Sequence, residues 1–104
     1  LMRQQDFFTQ KVQEAPENKL FRFSLSKILF DQDQFIEAIP HLEKCIQLQD
    51  DWMLAHILLG KSLIQSQQAD KAKAVLEKAL ELAEEQNHDD PKNEILGLLK
   101  GYKH

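Results

Sequence analysis

Apolar residues recur along the chain at spacings of three and four, with polar residues between them, which is the pattern of helices buried on one side. The clearest stretch is Phe35, Ala38, Ile39, Leu42, Cys45, Ile46 and Leu48, which predicts a helix over Gln34 to Gln49. A helix over Lys19 to Phe30 precedes it. The run Asp31-Gln32-Asp33 interrupts the pattern, with Asp33 as the expected N-cap. A second such pair is expected at Asp51 to Gln65 and Ala69 to Gln86, joined by a turn at Ser66-Gln67-Gln68 and opened by a cap at Asp50 or Asp51. Residues 3–15 read as a lone helix ahead of the first pair. Residues 91–102 read as a terminal helix with Asp90 as cap, Pro91 in its first turn, and a stripe of Ile95, Leu98, Leu99 and Tyr102. Gly97 and Gly101 make that last helix weak alone, so it should need docking. Pro40 removes one bond inside the second helix and is expected to kink it on a solvent-facing side.

The two pairs are copies of one unit. Shifting the chain by 34 residues superimposes Leu20 on Leu54, Leu25 on Leu59, Lys27 on Lys61, Ala38 on Ala72 and Leu42 on Leu76. The 32 aligned pairs from 19/53 to 50/84 contain ten identities without a gap. Within each copy the first helix carries Leu59-Gly60, answered by Leu25-Ser26, and then Leu63 or Leu29. The second carries Ala72 or Ala38, a large residue four later (Leu76 or Leu42), and a small one (Ala79 or Cys45). Small residues let antiparallel helices approach closely, so Gly60 is expected at the tightest crossing, against Ala72.

Period and slots together resemble the tetratricopeptide repeat family. The likeness is good over residues 16–86 and loose at both ends. Arg22 and His56 stand in the family's opening aromatic slot, Asp50 and Glu84 in place of its terminal proline, and Asp33 and Gln67 in place of its turn glycine. Pro16 ends a preceding partial unit whose large slot is Phe8. The resemblance implies an all-α fold of about six helices in one domain (1–104). Antiparallel pairs would stack as a short right-handed solenoid, with repeats at 19–50 and 53–86. It also implies a protein–protein interaction module without catalysis.

Composition agrees with helices. The chain has 16 Leu and 12 Gln against 2 Val and 1 Thr, and only 3 Gly and 3 Pro, too few β-branched and turn residues for a sandwich or barrel. The net charge is −4 and no Lys/Arg cluster occurs, which disfavours nucleic acid as a partner. No apolar run approaches the roughly 20 residues of a membrane span. Cys45 is the single cysteine, which reads most simply as a reducing, cytoplasmic setting. The chain opens at Leu1, so a fragment of a longer repeat array is one alternative; an oligomerising structural module is another.

Candidate chemistry is thin. His41 and Cys45 are four apart on one helix face, but two ligands are too few for a metal and Cys45 fills the slot of Ala79. Asp31-Gln32-Asp33 opens like a calcium loop, yet Ile36 stands where glycine is needed and Leu42 where glutamate is. His56 reads as a packed residue rather than a base. No phosphate loop or nucleophile elbow is present, so no catalytic residue, metal or cofactor is expected.

What remains is a surface. Leu20, Phe23, Lys27 and Phe30 on the first helix of one copy, and Leu54, Ile57, Lys61 and Ile64 on that of the next, follow the same three-four-three spacing. They lie apart from Leu25, Leu29, Leu59 and Leu63, so these helices are apolar on more than one side. Either the terminal helix or a second copy covers this face, or it is a concave groove for a partner peptide or helix. Lys27 and Lys61 would then favour an acidic residue in the partner. Some tetratricopeptide repeats grip a C-terminal carboxylate with a Lys/Asn/Arg clamp. Phe23 and Leu58 occupy the places of polar clamp residues, so that mode is not expected.

Overall fold

The computed structural model describes residues 3–102. Six α-helices follow one another: α1 (Gln4–Glu14), α2 (Lys19–Asp31), α3 (Phe35–Leu48), α4 (Met53–Gln65), α5 (Ala69–Glu85) and α6 (Asp89–Leu99), with a 3₁₀ turn at Lys100–Tyr102. Among the described residues there is no strand. Each helix packs on the next, and α2 also touches α4. The result is a stack 47 × 27 × 20 Å in extent, with α2, α4 and α6 along one side and α1, α3 and α5 along the other.

The core has two parts. Leu25, Leu29, Ala38, Leu42, Leu59, Leu63 and Ala72 knit the first pair to the second, with Val12 of α1 closing one end. Met53, Ile57, Leu76, Ala79, Leu82 and Ala83 knit α4 and α5 to Ile95 and Leu99 of α6. Phe8, in the large slot of the partial unit, is partly buried against the first cluster and lies 6.5 Å from the ring of Phe21. Pro40 is exposed and α3 runs unbroken across it, so the lost backbone bond falls where water can replace it.

Gly60 does sit at a tight crossing, but the residue it faces is Leu76 rather than Ala72. A Cβ on Gly60 would lie 2.5 Å from Leu76 Cδ2 and 2.7 Å from its Cγ. Leu76 is fully buried and cannot swing away from the crossing without displacing its neighbours. In the first copy Ser26 takes the glycine's place. It too is fully buried, and it turns its hydroxyl back to donate to the Arg22 carbonyl of its own helix at 2.8 Å.

All three expected caps are corrected. Asp33 has φ 60°, Gln67 has φ 63° and Asn87 has φ 57°. They are left-handed C′ residues ending α2, α4 and α5. In each turn the next N–H reaches five residues back: Gln34 to the Leu29 carbonyl at 2.8 Å, Gln68 to Leu63 at 2.8 Å, and His88 to Ala83 at 2.9 Å. The residue that makes this bond is also the cap position of the following helix, so Gln34, Gln68 and His88 precede α3, α5 and α6. Asp33 is therefore one residue too early to cap α3, and Asp90 lies inside α6. Trp52, not Asp50 or Asp51, holds the cap position of α4, without a side-chain bond. Asn18 is a true cap, its Oδ1 accepting from the Phe21 N–H at 3.0 Å.

Two stability measurements follow from this geometry. Gly60→Ala should destabilise the fold by about 1–2 kcal/mol, because displacing Leu76 outweighs a helix-propensity gain of about 1 kcal/mol; an unchanged urea midpoint would show that the crossing has slack. Gln67→Gly should stabilise by about 1 kcal/mol, since glycine relieves the left-handed strain. Thermal melts should show the gain at Gln67 exceeding that of Asn87→Gly, because asparagine tolerates this conformation better than glutamine does.

Candidate functional site

The two residues in the opening aromatic slots are polar, and each makes specific bonds. The guanidinium of Arg22 donates from Nη2 to the Pro16 carbonyl at 2.8 Å and from Nη1 to Nδ1 of His41 at 3.2 Å. One side chain thus ties the α1–α2 connection, α2 and α3 together. Because arginine only donates, His41 must accept at Nδ1 and carry its proton on Nε2. His56 takes the opposite tautomer, its Nδ1–H donating to the Trp52 carbonyl at 2.9 Å. Burial, helped by the charge of Arg22, holds the His41 pKa below its usual range, and burial does the same to His56. Cys45 is fully buried, and that burial pushes its thiol up to about 11. His41 and Cys45 are thus packed residues, with His41 engaged by Arg22.

The eight residues of the expected groove divide into three sets. Leu20 and Leu54, one repeat apart, are 64% and 52% exposed. Phe23, Phe30 and Ile64 are partly buried. Phe23 stacks on Trp52 with ring centroids 4.6 Å apart and planes 25° apart, and Phe30 meets Phe35 edge-on at 5.4 Å. Ile57 is only 3% exposed and belongs to the core, packed in the cluster that holds Ile95 and Leu99 of α6. The terminal helix therefore closes the α4 part of the face at mid-length and leaves the α2 part open.

The lysines are not free. Lys27 Nζ lies 2.6 Å from Asp31 on its own helix, and Lys61 Nζ lies 2.9 Å from Glu94, bridging α4 to α6. The expected attraction for an acidic partner loses its basis, because each cation already has a carboxylate. Two apolar recesses flank the closed middle. One, of about 200 Å³, lies at the C-terminal ends of α2 and α4 between Phe30, Phe35, Ile64 and Leu98. The other, of about 670 Å³, lies at the starts of α4 and α6 between Trp52, Met53, Leu54 and Pro91. Trp52 was absent from the sequence-derived surface. Its place one residue before a helix gave no periodic signal, and its stacking partner belongs to the preceding repeat.

Residues 29–92 match the sequence pattern of the tetratricopeptide repeat. The chain belongs to the tetratricopeptide repeat family. Its fold is similar to the solution structure of protein BPP2914 from Bordetella parapertussis, with a TM-score of 0.81 and 23% identity, over 96% of this chain and 87% of that one. At that identity the likeness concerns the fold alone. No curated protein matches the chain. Tetratricopeptide repeats serve as protein–protein interaction modules or helical scaffolds and are typically non-catalytic. Among the described residues no helix is long and apolar enough to cross a membrane.

The two histidines make the repeat's stability depend on pH. Both are held neutral in the folded state and take up a proton more readily once unfolded. The unfolded chain therefore binds more protons as pH falls below about 6.5, and stability present above that value is lost on acidification. Ring resonances followed by NMR should titrate below 6.5 for His41 and His56. Urea unfolding should give lower stability at pH 5 than at pH 7.5. Ordinary or raised histidine pKa values would contradict burial of the two rings as the controlling influence.

Proposed function

We propose that the tetratricopeptide repeats of this chain bind a segment of another protein across the open concave face of α2 and α4. The observation that carries this reading is the pair of repeat-equivalent leucines, Leu20 and Leu54, left largely exposed beside the Phe23–Trp52 stack. A two-layer helix pair needs one apolar side, and that side is already filled by Leu25, Leu29, Leu59 and Leu63. In this reading Leu20, Phe23, Phe30, Leu54 and Ile64 make contact, Ile57 supports them from beneath, and Lys27 and Lys61 frame the face. Burying three or four such side chains is worth about 1.5–3 kcal/mol each before the cost of association, which suits micromolar affinity.

A peptide or short helix of a partner is the occupant favoured here, with a second copy of the chain as the competing one. Leu20→Glu with Leu54→Glu should leave the melting temperature nearly unchanged, because both side chains face solvent. The same double variant should lose the proteins captured by the wild-type domain from lysate, or lose self-association in sedimentation if a copy covers the face. Ile57→Glu should behave differently, costing about 3 kcal/mol or more by placing a charge in the core. Unchanged capture and unchanged mass in the double variant would remove this face from consideration.

A further inference from the structure

The recess at the starts of α4 and α6 says more about the partner than the rest of the face does. Its walls are the apolar surfaces of Trp52, Met53, Leu54 and Pro91, and Asp51 and His88 stand at its rim. Asp51 is among its lining residues, and three more exposed aspartates neighbour the lining in sequence: Asp50 beside Asp51 in the α3–α4 connection, and Asp89 and Asp90 in the first turn of α6, between His88 and Pro91. None of the four has an ion-pair partner among the described residues. Two lysines stand at this end of the stack, Lys19 beside Gln49 of the recess lining and Lys92 beside Pro91, and the carboxylates there outnumber them. Lys19 donates to the Gln49 side chain at 2.6 Å, and Lys92 lies 3.9 Å from Glu84. The loops that carry the aspartates are held together, Gln86 Nε2 donating to the Asp51 carbonyl at 3.3 Å.

We infer that this recess takes an apolar side chain from a positively charged segment of another protein. The inference rests on the concave-face reading above and adds the partner's chemistry to it. An apolar residue of the partner covers Trp52, Leu54 and Pro91, while flanking Lys or Arg residues lie against Asp50, Asp51, Asp89 and Asp90. The partly buried Phe23–Trp52 stack gives such a cation an aromatic face as well. An acidic segment is repelled at this end, and it finds Lys27 and Lys61 already paired at the middle of the face. The charge preference is thus opposite to the one the two lysines suggest in the sequence.

Selection of a random phage-displayed dodecapeptide library on the folded domain tests this directly. Trp52 is the only tryptophan in the chain, so its fluorescence then reports binding of the selected Trp-free peptides at the site itself. The expected result is enrichment of peptides that combine Lys or Arg with an apolar anchor and shift Trp52 emission. Leu54→Ser should weaken them about tenfold, the equivalent of one buried leucine. The Asp50→Asn, Asp51→Asn, Asp90→Asn triple variant should weaken them severalfold, and raising the salt should do so in proportion to screening. Circular dichroism verifies that each variant is folded, since Asp90 also complements the amide end of α6. Enrichment of acidic or uncharged peptides that depend on Leu54 would overturn the charge assignment and leave the concave face standing. Peptides indifferent to Leu54, Leu20 and the aspartates would overturn both. Failure to enrich any peptide would overturn the inference, while the double leucine variant would still decide the broader reading on its own.

Discussion

The fold depends on how closely two antiparallel helices can approach. Between α4 and α5 that distance is set by Gly60 lying against the fully buried Leu76, with no room for a single added carbon. In the preceding copy a serine fills the same position, fully buried, with its hydroxyl returned to its own backbone. Close approach buries Leu42 and Leu76 completely and brings successive pairs near enough for α2 to touch α4. The exposed apolar positions of α2 and α4 are a product of the same constraint. Once Leu25, Leu29, Leu59 and Leu63 fill the seam, the remaining apolar residues of α2 and α4 have to face outward or find another helix.

Much of this was legible in the residues. The 34-residue shift that superimposes Leu25 on Leu59 and Ala38 on Ala72 identifies both pairs, their turns and the slots of their core. Periodicity also placed α1 and α6, because each carries a stripe that cannot be buried alone. What it could not place was conformation that leaves no pattern of polarity. Asp33 looked like a cap because aspartate caps helices, yet a three-residue turn needs its middle residue left-handed, and that displaces the cap by one position. Nor does a repeat shift reveal contacts that belong to one copy only, such as Arg22 with His41 or Phe23 with Trp52.

The concave face was the part read least completely, for a related reason. Spacing shows which residues share a side of a helix but not which of them a later helix covers. Ile57 belongs with Phe23 by spacing and with Ile95 by packing. Lys61 belongs with Lys27 by spacing, while its charge is answered by Glu94, 33 residues away. The exposed apolar surface that remains is smaller than the sequence pattern implied, and an aromatic stack that joins two repeats adds to it.

Contacts between consecutive helices dominate this stack, and that arrangement has a kinetic consequence. A chain whose partners are mostly near neighbours closes short loops as it folds, so it can start from either helix pair and grow outward quickly. It also comes apart from its ends. α6 has one neighbouring helix in sequence, a glycine at Gly97 whose missing side chain would meet nothing, and the seal of Ile95 and Leu99 over Ile57. Its release should cost less than unfolding the whole domain, which predicts faster amide exchange in α6 than in α4. Each such opening would bare Ile57, so the extent of apolar surface beside α2 and α4 would vary with the fraying of the last helix.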